Sequence, residues 1–320
     1  MLQKLDISNF VTVKGKLVDQ IPLTYEVFGK PLHQAPVVLV NHALTGNSNV
    51  CGENGWWNGL IGKGKCIDTD KYTVLSFNVP GNGYDGVEEN LIKEYKIFKA
   101  RDIAAIFLEG LKLLEIHKIH AAIGGSVGGG IAWEIAALNT SIISNLIPVA
   151  TDWKSSDWLK ANCLVQEQIL LNSSNPVHDA RLHAMLIYRS PESFRQKFDR
   201  SYNEDKDMYN VESWLLHHGE KLDGRFELPA YKELNHILAN IDITEGRGSF
   251  EEVAASIKSN IHIISVRSDM FFTEEEDEIT FEKLKQVKQN VTHGVIDSAH
   301  GHDAFLIEFE ELSTLLKEVF

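Results

Sequence analysis

The chain has 320 residues, 43% hydrophobic and 24% charged, an ordinary globular balance with room for one large α/β domain plus an insertion, or for two small domains. A formal net charge of −14 excludes the basic face that nucleic-acid binding requires. No apolar run approaches the roughly 20 residues of a membrane-spanning helix, so neither nucleic acid nor membrane is an expected partner.

The opening segment, MLQKLDISNFVTVKGK, alternates apolar and polar side chains and lacks the parts of a signal peptide. A cytoplasmic protein is the expectation. Residues 5–13 and 22–28 alternate like an antiparallel pair. The run VVLV at 37–40, after Pro36, has the continuous apolar character of a strand buried on both faces, as does YTVLSF at 72–77. Residues 100–116 carry apolar side chains at helical spacing: Ile103, Ile106, Phe107, Leu111 and Leu114. A strand at 119–123, a glycine cluster, a helix from about 127 to 138 and a strand at 146–149 follow. This alternation predicts a parallel sheet covered by helices on both faces. From 151 to 250 the rhythm breaks: the pattern is helical and offers no convincing strand. It returns with a strand at 261–266, a helix near 274–288, a strand at 291–296 and a final helix at 303–318. The expected organisation is one α/β core, residues 1–150 and 251–320, interrupted by a helical insertion, residues 151–250.

The chemistry is concentrated at three strand ends. Gly124-Gly125-Ser126-Val127-Gly128 is a G-x-S-x-G motif between a predicted strand and a predicted helix. So sharp a turn admits only small neighbours and lifts the serine hydroxyl above the sheet, with a helix N-terminus behind it to favour developing negative charge. A serine hydroxyl needs a base. Asp269 follows the 261–266 strand, and His302 follows the 291–296 strand. The order Ser126, Asp269, His302 is that of a nucleophile, an orienting acid and a base. An oxyanion hole would take the backbone N–H of Val127 and one from Ala43 or Leu44, in the loop after the 37–40 strand. His42 is read as a residue that holds this loop. Cys51, Cys66 and Cys163 contain no CxxC pair and are odd in number; they imply neither a disulfide framework nor a zinc site, and no metal is expected.

With these residues in place the chain resembles the homoserine O-acetyltransferases, a transferase branch of the α/β-hydrolase superfamily. The shared segments span the sequence: NHALTGNSNV at 41–50, GWWNGLIGKGKCIDTDKYTVLSFNV at 55–79, IGGSVGGG at 123–130, ARLHAMLIYRS at 180–190, SVRSDMFFTEEE at 265–276 and DSAHGHDAFLIE at 297–308. The resemblance implies the α/β-hydrolase fold, with a mostly parallel central sheet and a helical lid. It implies Ser126, Asp269 and His302 as the triad, and the N–H groups of Leu44 and Val127 as the oxyanion hole. It further implies that Arg181, Tyr188 and Asp303 bind the carboxylate and amine of homoserine, consistent with the cation and anion a zwitterion requires. The implied reaction is ping-pong acetyl transfer from acetyl-CoA to L-homoserine, in methionine biosynthesis, with no tightly bound cofactor and a homodimer as the assembly. Three segments depart from the family pattern: Pro80-Gly81-Asn82, the charged stretch 87–93, and FELPAY at 226–231. They leave open succinyl-CoA as donor, serine or another hydroxyl compound as acceptor, and hydrolysis by an esterase or thioesterase. A non-catalytic binding protein is disfavoured by the retained nucleophile and histidine.

Overall fold

The computed structural model describes all residues from Met1 to Phe320. The chain opens with strands β1 (Gln3–Val11) and β2 (Leu17–Gly29), an antiparallel pair with Gln3 opposite Tyr25 and Val11 opposite Leu17. Strand β3 (Val37–Asn41) follows, then a short parallel pair that the sequence reading did not anticipate, β4 (Ile61–Gly62) and β5 (Ile67–Asp68). Strand β6 (Thr73–Phe77), helix α1 (Ala100–Leu113), strand β7 (Ile119–Gly125), helix α2 (Val127–Leu138) and strand β8 (Ile143–Val149) complete the first half. Helices α3 (Asp157–Asn172), α4 (Pro176–Tyr188) and α5 (Pro191–Phe198) come next. A two-residue hairpin, β9 (Tyr202–Asn203) with β10 (Met208–Tyr209), then interrupts the expected all-helical stretch. Helices α6 (Asn210–Asp223), α7 (Leu228–Ala239) and α8 (Phe250–Ser256) lead back to strand β11 (Asn260–Val266), helix α9 (Glu274–Val287) and strand β12 (Val291–Ile296).

The expected final helix at 303–318 is two pieces. A 3-10 turn spans Gly301–Leu306 and helix α10 spans Phe309–Leu316. His302 lies within the 3-10 turn, shortly after the end of β12.

Eight strands form one sheet in the order β1-β2-β6-β3-β7-β8-β11-β12. β2 pairs antiparallel with β1 and β6, and every later pairing is parallel. The period of two sorts the central side chains onto two faces. Leu39 and Ala122 join the larger hydrophobic cluster with Phe107, Trp133 and Ile135. Val38, Val40, Ala121 and Ile123 join the smaller one with Trp57, Phe305 and Leu312. Because β3 is covered on both sides, its Val37–Val40 stretch reads in sequence as an unbroken apolar run.

The helices between β8 and β11 also feed the larger cluster. Leu159 of α3, Val177 of α4, Leu222 of α6 and Leu234 and Leu238 of α7 are all buried within it. The segment is therefore continuous in packing with the α/β core, and it covers the carboxyl ends of the parallel strands, where ligands bind in open α/β sheets.

Candidate active site

Ser126 sits between β7 and α2 with φ 57° and ψ −129°. A non-glycine residue in this region is strained by about 1–3 kcal/mol, and the surroundings hold it there. Its N–H donates to the Val149 carbonyl at the end of β8 (3.0 Å). A Cβ at Gly124 would overlap the backbone of Gly128, and one at Gly128 would overlap the Asn41 carbonyl. Asn41 Nδ2 in turn donates to the Gly128 carbonyl (3.1 Å). The two outer glycines of G-x-S-x-G are thus required by close backbone approach. Val127, the first residue of α2, has no N–H acceptor within its own helix.

Asp269 lies in the loop after β11. Its Oδ2 accepts from His302 Nδ1 (2.6 Å), while Oδ1 accepts the N–H groups of Phe271 (2.7 Å) and Phe272 (3.0 Å). The carboxylate is held on both oxygens, and it fixes the imidazole tautomer with Nε2 free to act as base. Aromatic rings enclose that imidazole: Phe271, Tyr188, Phe305 and Phe272, with centroids 5.2–5.8 Å away. Gly301, just before it, has φ +66°, and a Cβ there would meet the Tyr188 carbonyl at 2.7 Å. Ser126, Asp269 and His302 are 4%, 5% and 3% exposed, and Phe305, which packs on the His302 imidazole, also lies against Gly125 next to Ser126. No hydrogen bond joins the Ser126 hydroxyl to His302. Such catalytic bonds commonly close only in the complex with substrate.

The loop after β3, which carries Ala43 and Leu44, is held by several hydrogen bonds. Burial pulls the His42 pKa down to about 4, against the opposing hydrogen bond to Ala43, so the ring is neutral at pH 7. Its Nδ1–H donates to the Ala43 carbonyl (2.8 Å) and its Nε2 accepts from the Val79 N–H (3.0 Å). His42 therefore holds the loop. The Gly46 N–H also donates to the Ala43 carbonyl (2.9 Å), closing a turn over 43–46. The Leu44 N–H has no acceptor within the chain and is free, with that of Val127, for an oxyanion. Behind the turn, Ser48 donates to Glu26 (2.8 Å), and Asn78 Oδ1 accepts the Ser48 N–H (2.8 Å), which anchors the loop to β2 and the end of β6.

Arg181 and Tyr188 share a face of α4, with the guanidinium carbon 5.9 Å from the phenol ring centroid. The Tyr188 ring bridges from Arg181 to His302. Burial holds the Tyr188 phenol well above its ordinary pKa, so it is a neutral donor. Asp303 is nearby but does not pair with Arg181. Its ion partner is Arg189, at 3.2 Å, which also reaches His300 Nδ1 (3.1 Å). Burial raises the Asp303 pKa while the charges of Arg181 and Arg189 oppose that rise. Arg181 is left with no carboxylate partner. Sequence reasoning missed Arg189, although it directly follows Tyr188 in ARLHAMLIYRS. It also missed a cavity of about 10 Å³, the room for one water, that Leu44, Tyr188, Phe271, Gln166, His183 and Tyr231 help to line. Tyr231 donates to Gln166 there (3.2 Å). Gln166 lies on α3, His183 and Tyr188 on α4 and Tyr231 on α7, and only their tertiary meeting with the Leu44 and Phe271 loops marks them. No group of three or more His, Cys, Asp or Glu side chains is arranged to hold a metal ion.

A family model of the alpha/beta hydrolase fold matches residues 36–204. A homoserine O-acetyltransferase of Symbiobacterium thermophilum is 31% identical over 339 residues, covering 93% of this chain and 88% of that one. The chain belongs to the homoserine O-acetyltransferase family of α/β hydrolases. Among solved structures, a homoserine O-acetyltransferase from Staphylococcus aureus matches with TM-score 0.85 and 26% identity over 99% of this chain and 94% of that chain. Esterase E22 matches with TM-score 0.88 at 18% identity over 100% of both chains. The backbone is thus common to transferases and hydrolases, and side chains must separate them. The departures from the family pattern meet in space. Gly81, at φ +87°, packs its backbone on the carboxyl of Glu233, and a Cβ at Gly83 would lie 3.3 Å from Leu91 and 3.5 Å from Glu227. A groove of about 240 Å³ runs between them, lined by Gly83, Gly86, Leu91, Lys93, Glu227 and Pro229 among others.

Proposed function

We propose that this protein transfers an acetyl group from acetyl-CoA to the hydroxyl of L-homoserine by a ping-pong mechanism, as a step of methionine biosynthesis. The observation that carries this reading is Arg181: a guanidinium without a carboxylate partner, set beside the one aromatic ring that touches both it and His302. A hydrolase working on neutral esters has no use for such a cation, whereas an amino-acid acceptor brings a carboxylate to it.

In the first half-reaction His302 Nε2 takes the Ser126 proton as Oγ attacks the thioester carbonyl. Asp269 stabilises the imidazolium that forms. The Leu44 and Val127 N–H groups receive the oxyanion, the C–S bond breaks, and the thiol leaves with the proton from His302. In the second half-reaction the acceptor hydroxyl gives its proton to His302 and attacks the acyl-enzyme, and Ser126 is regenerated. Arg181 takes the acceptor carboxylate, Tyr188 donates alongside it, and Asp303, held by Arg189, takes the ammonium. The helices over 151–250 act as the lid that keeps water from the acyl-enzyme. Exposed apolar side chains on their outer face, Trp158, Leu164, Leu171 and Leu186, support a homodimer formed through this lid.

The test is thiol release from acetyl-CoA and succinyl-CoA, each with homoserine, serine or water. Turnover of acetyl-CoA that depends on homoserine is the expected result. Equal release with and without acceptor would make the protein a hydrolase, and preference for another pair would replace the substrates.

A further inference from the structure

Arg225 lies in the link between α6 and α7, outside every motif that points to the triad. Its Nη1 donates to the Thr45 carbonyl (3.1 Å), the one hydrogen bond its guanidinium makes. No carboxylate pairs with it. Thr45 directly follows Leu44, so this lid residue grips the oxyanion loop.

The consequence follows from peptide planarity. The Ala43 carbonyl and the Leu44 N–H belong to one trans peptide and point in opposite directions. The Ala43 carbonyl is held by His42 Nδ1–H (2.8 Å) and by the Gly46 N–H (2.9 Å). The Gly46 N–H itself shares a peptide with the Thr45 carbonyl that Arg225 holds. Fixing the Thr45–Gly46 peptide therefore fixes one of the two anchors of the Ala43 carbonyl, and with it the direction of the Leu44 N–H.

We propose that Arg225 is a positioning residue for the oxyanion hole: by clamping the Thr45 carbonyl from the lid, it keeps the Leu44 N–H aimed at the carbonyl under attack. This rests on the acyl-transfer reading and bears on both of its half-reactions, since each forms an oxyanion on the same acyl carbonyl. The choice of arginine fits the task, since its planar fork holds a carbonyl in a fixed geometry and stays charged.

The experiment compares the full-length protein with Arg225→Met and Arg225→Lys, using acetyl-CoA with homoserine and, separately, p-nitrophenyl acetate. Outright loss of one oxyanion donor costs about 10²–10³ in kcat, and a misaimed donor is expected to cost about 10–100-fold. Arg225→Met should lower kcat by that factor with both acyl donors and leave the homoserine KM within about 3-fold, while Arg225→Lys should recover most of the rate. A raised homoserine KM with unchanged ester cleavage would make Arg225 an acceptor ligand and overturn the proposal, as would unchanged kinetics throughout. If Arg225→Met does not fold, Arg225→Gln, too short to reach Thr45, carries the same comparison. Ser126→Ala is the control: if it still cleaves the ester, the nucleophile assignment has failed, whereas loss in Ser126→Ala beside an unaffected Arg225→Met sinks the positioning role alone.

Discussion

Holding Ser126 at φ 57° costs stability, and the neighbours that enforce it are backbone groups of β3, β7 and β8. The strain serves geometry, since it lifts the hydroxyl out of the turn between β7 and α2. Ser126→Ala and His302→Ala are each expected to lower kcat by about 10⁴-fold or more, with Asp269→Asn somewhat milder, because the oxyanion donors and substrate binding survive. Steady-state thiol release measures this, and near-normal turnover in any variant would remove that residue from the mechanism. Arg181 differs in kind. Arg181→Gln should raise the homoserine KM by roughly 10–100-fold, the worth of one charge-assisted contact, while leaving the acetylation half-reaction near its original rate. A stopped-flow measurement of acyl-enzyme formation separates the two, and slowed acetylation would contradict the assignment. The triad was legible because each member follows a strand and the order is diagnostic. Arg189 was not, because nothing in ARLHAMLIYRS says which of two arginines turns toward Asp303.

At the scale of elements, sheet and helices followed from periodicity wherever a segment is covered on a known number of faces. The run of β3 is unbroken because both faces are buried, and α1 shows a clear apolar stripe because only one is. The final helix differs from expectation because 301–306 and 309–316 each carry apolar side chains at short spacing, which cannot report that the first piece is a 3-10 turn and that the chain breaks after it. The β9–β10 hairpin, two residues a side, is too short to leave an alternating pattern. Helix α9 carries a less visible feature. Its Asp277 is buried beside Asp152, near the carboxyl end of β11, and burial raises both pKa values, that of Asp152 to about 7. A raised folded-state pKa gives stability that is complete below the unfolded value near 4 and is lost as pH rises through the folded value. Asp277→Asn should therefore gain thermal stability relative to the parent as pH climbs from 5 to 8.5. Melting curves at the two pH values decide it, and a gap that is constant or shrinks would show that the pair is not protonated in the fold.

Across the whole molecule, the charge of −14 sets the background that the proposed acyl-CoA donor would approach. Arginines 181, 189 and 225 give the site its positive charge, yet the far field remains negative. Moderate salt screens that field over about 8–10 Å. The value of kcat/KM for acetyl-CoA should rise by a few-fold between about 10 and 150 mM salt, while that for the neutral p-nitrophenyl acetate stays level. A fall for acetyl-CoA would mean that local attraction at the mouth outweighs the net charge.

The contact between the 80–93 loop and the start of α7 has an evolutionary reading. Gly81 can lie on Glu233 only while residue 81 lacks a side chain, and Glu227 faces Gly83 across the same seam. Segments some 150 positions apart in the chain thus pack as two halves of one unit. A chimera that borrows either half from a cousin should lose activity or solubility, whereas exchanging both together should restore it. The specificity of this branch would then travel as a matched pair of segments.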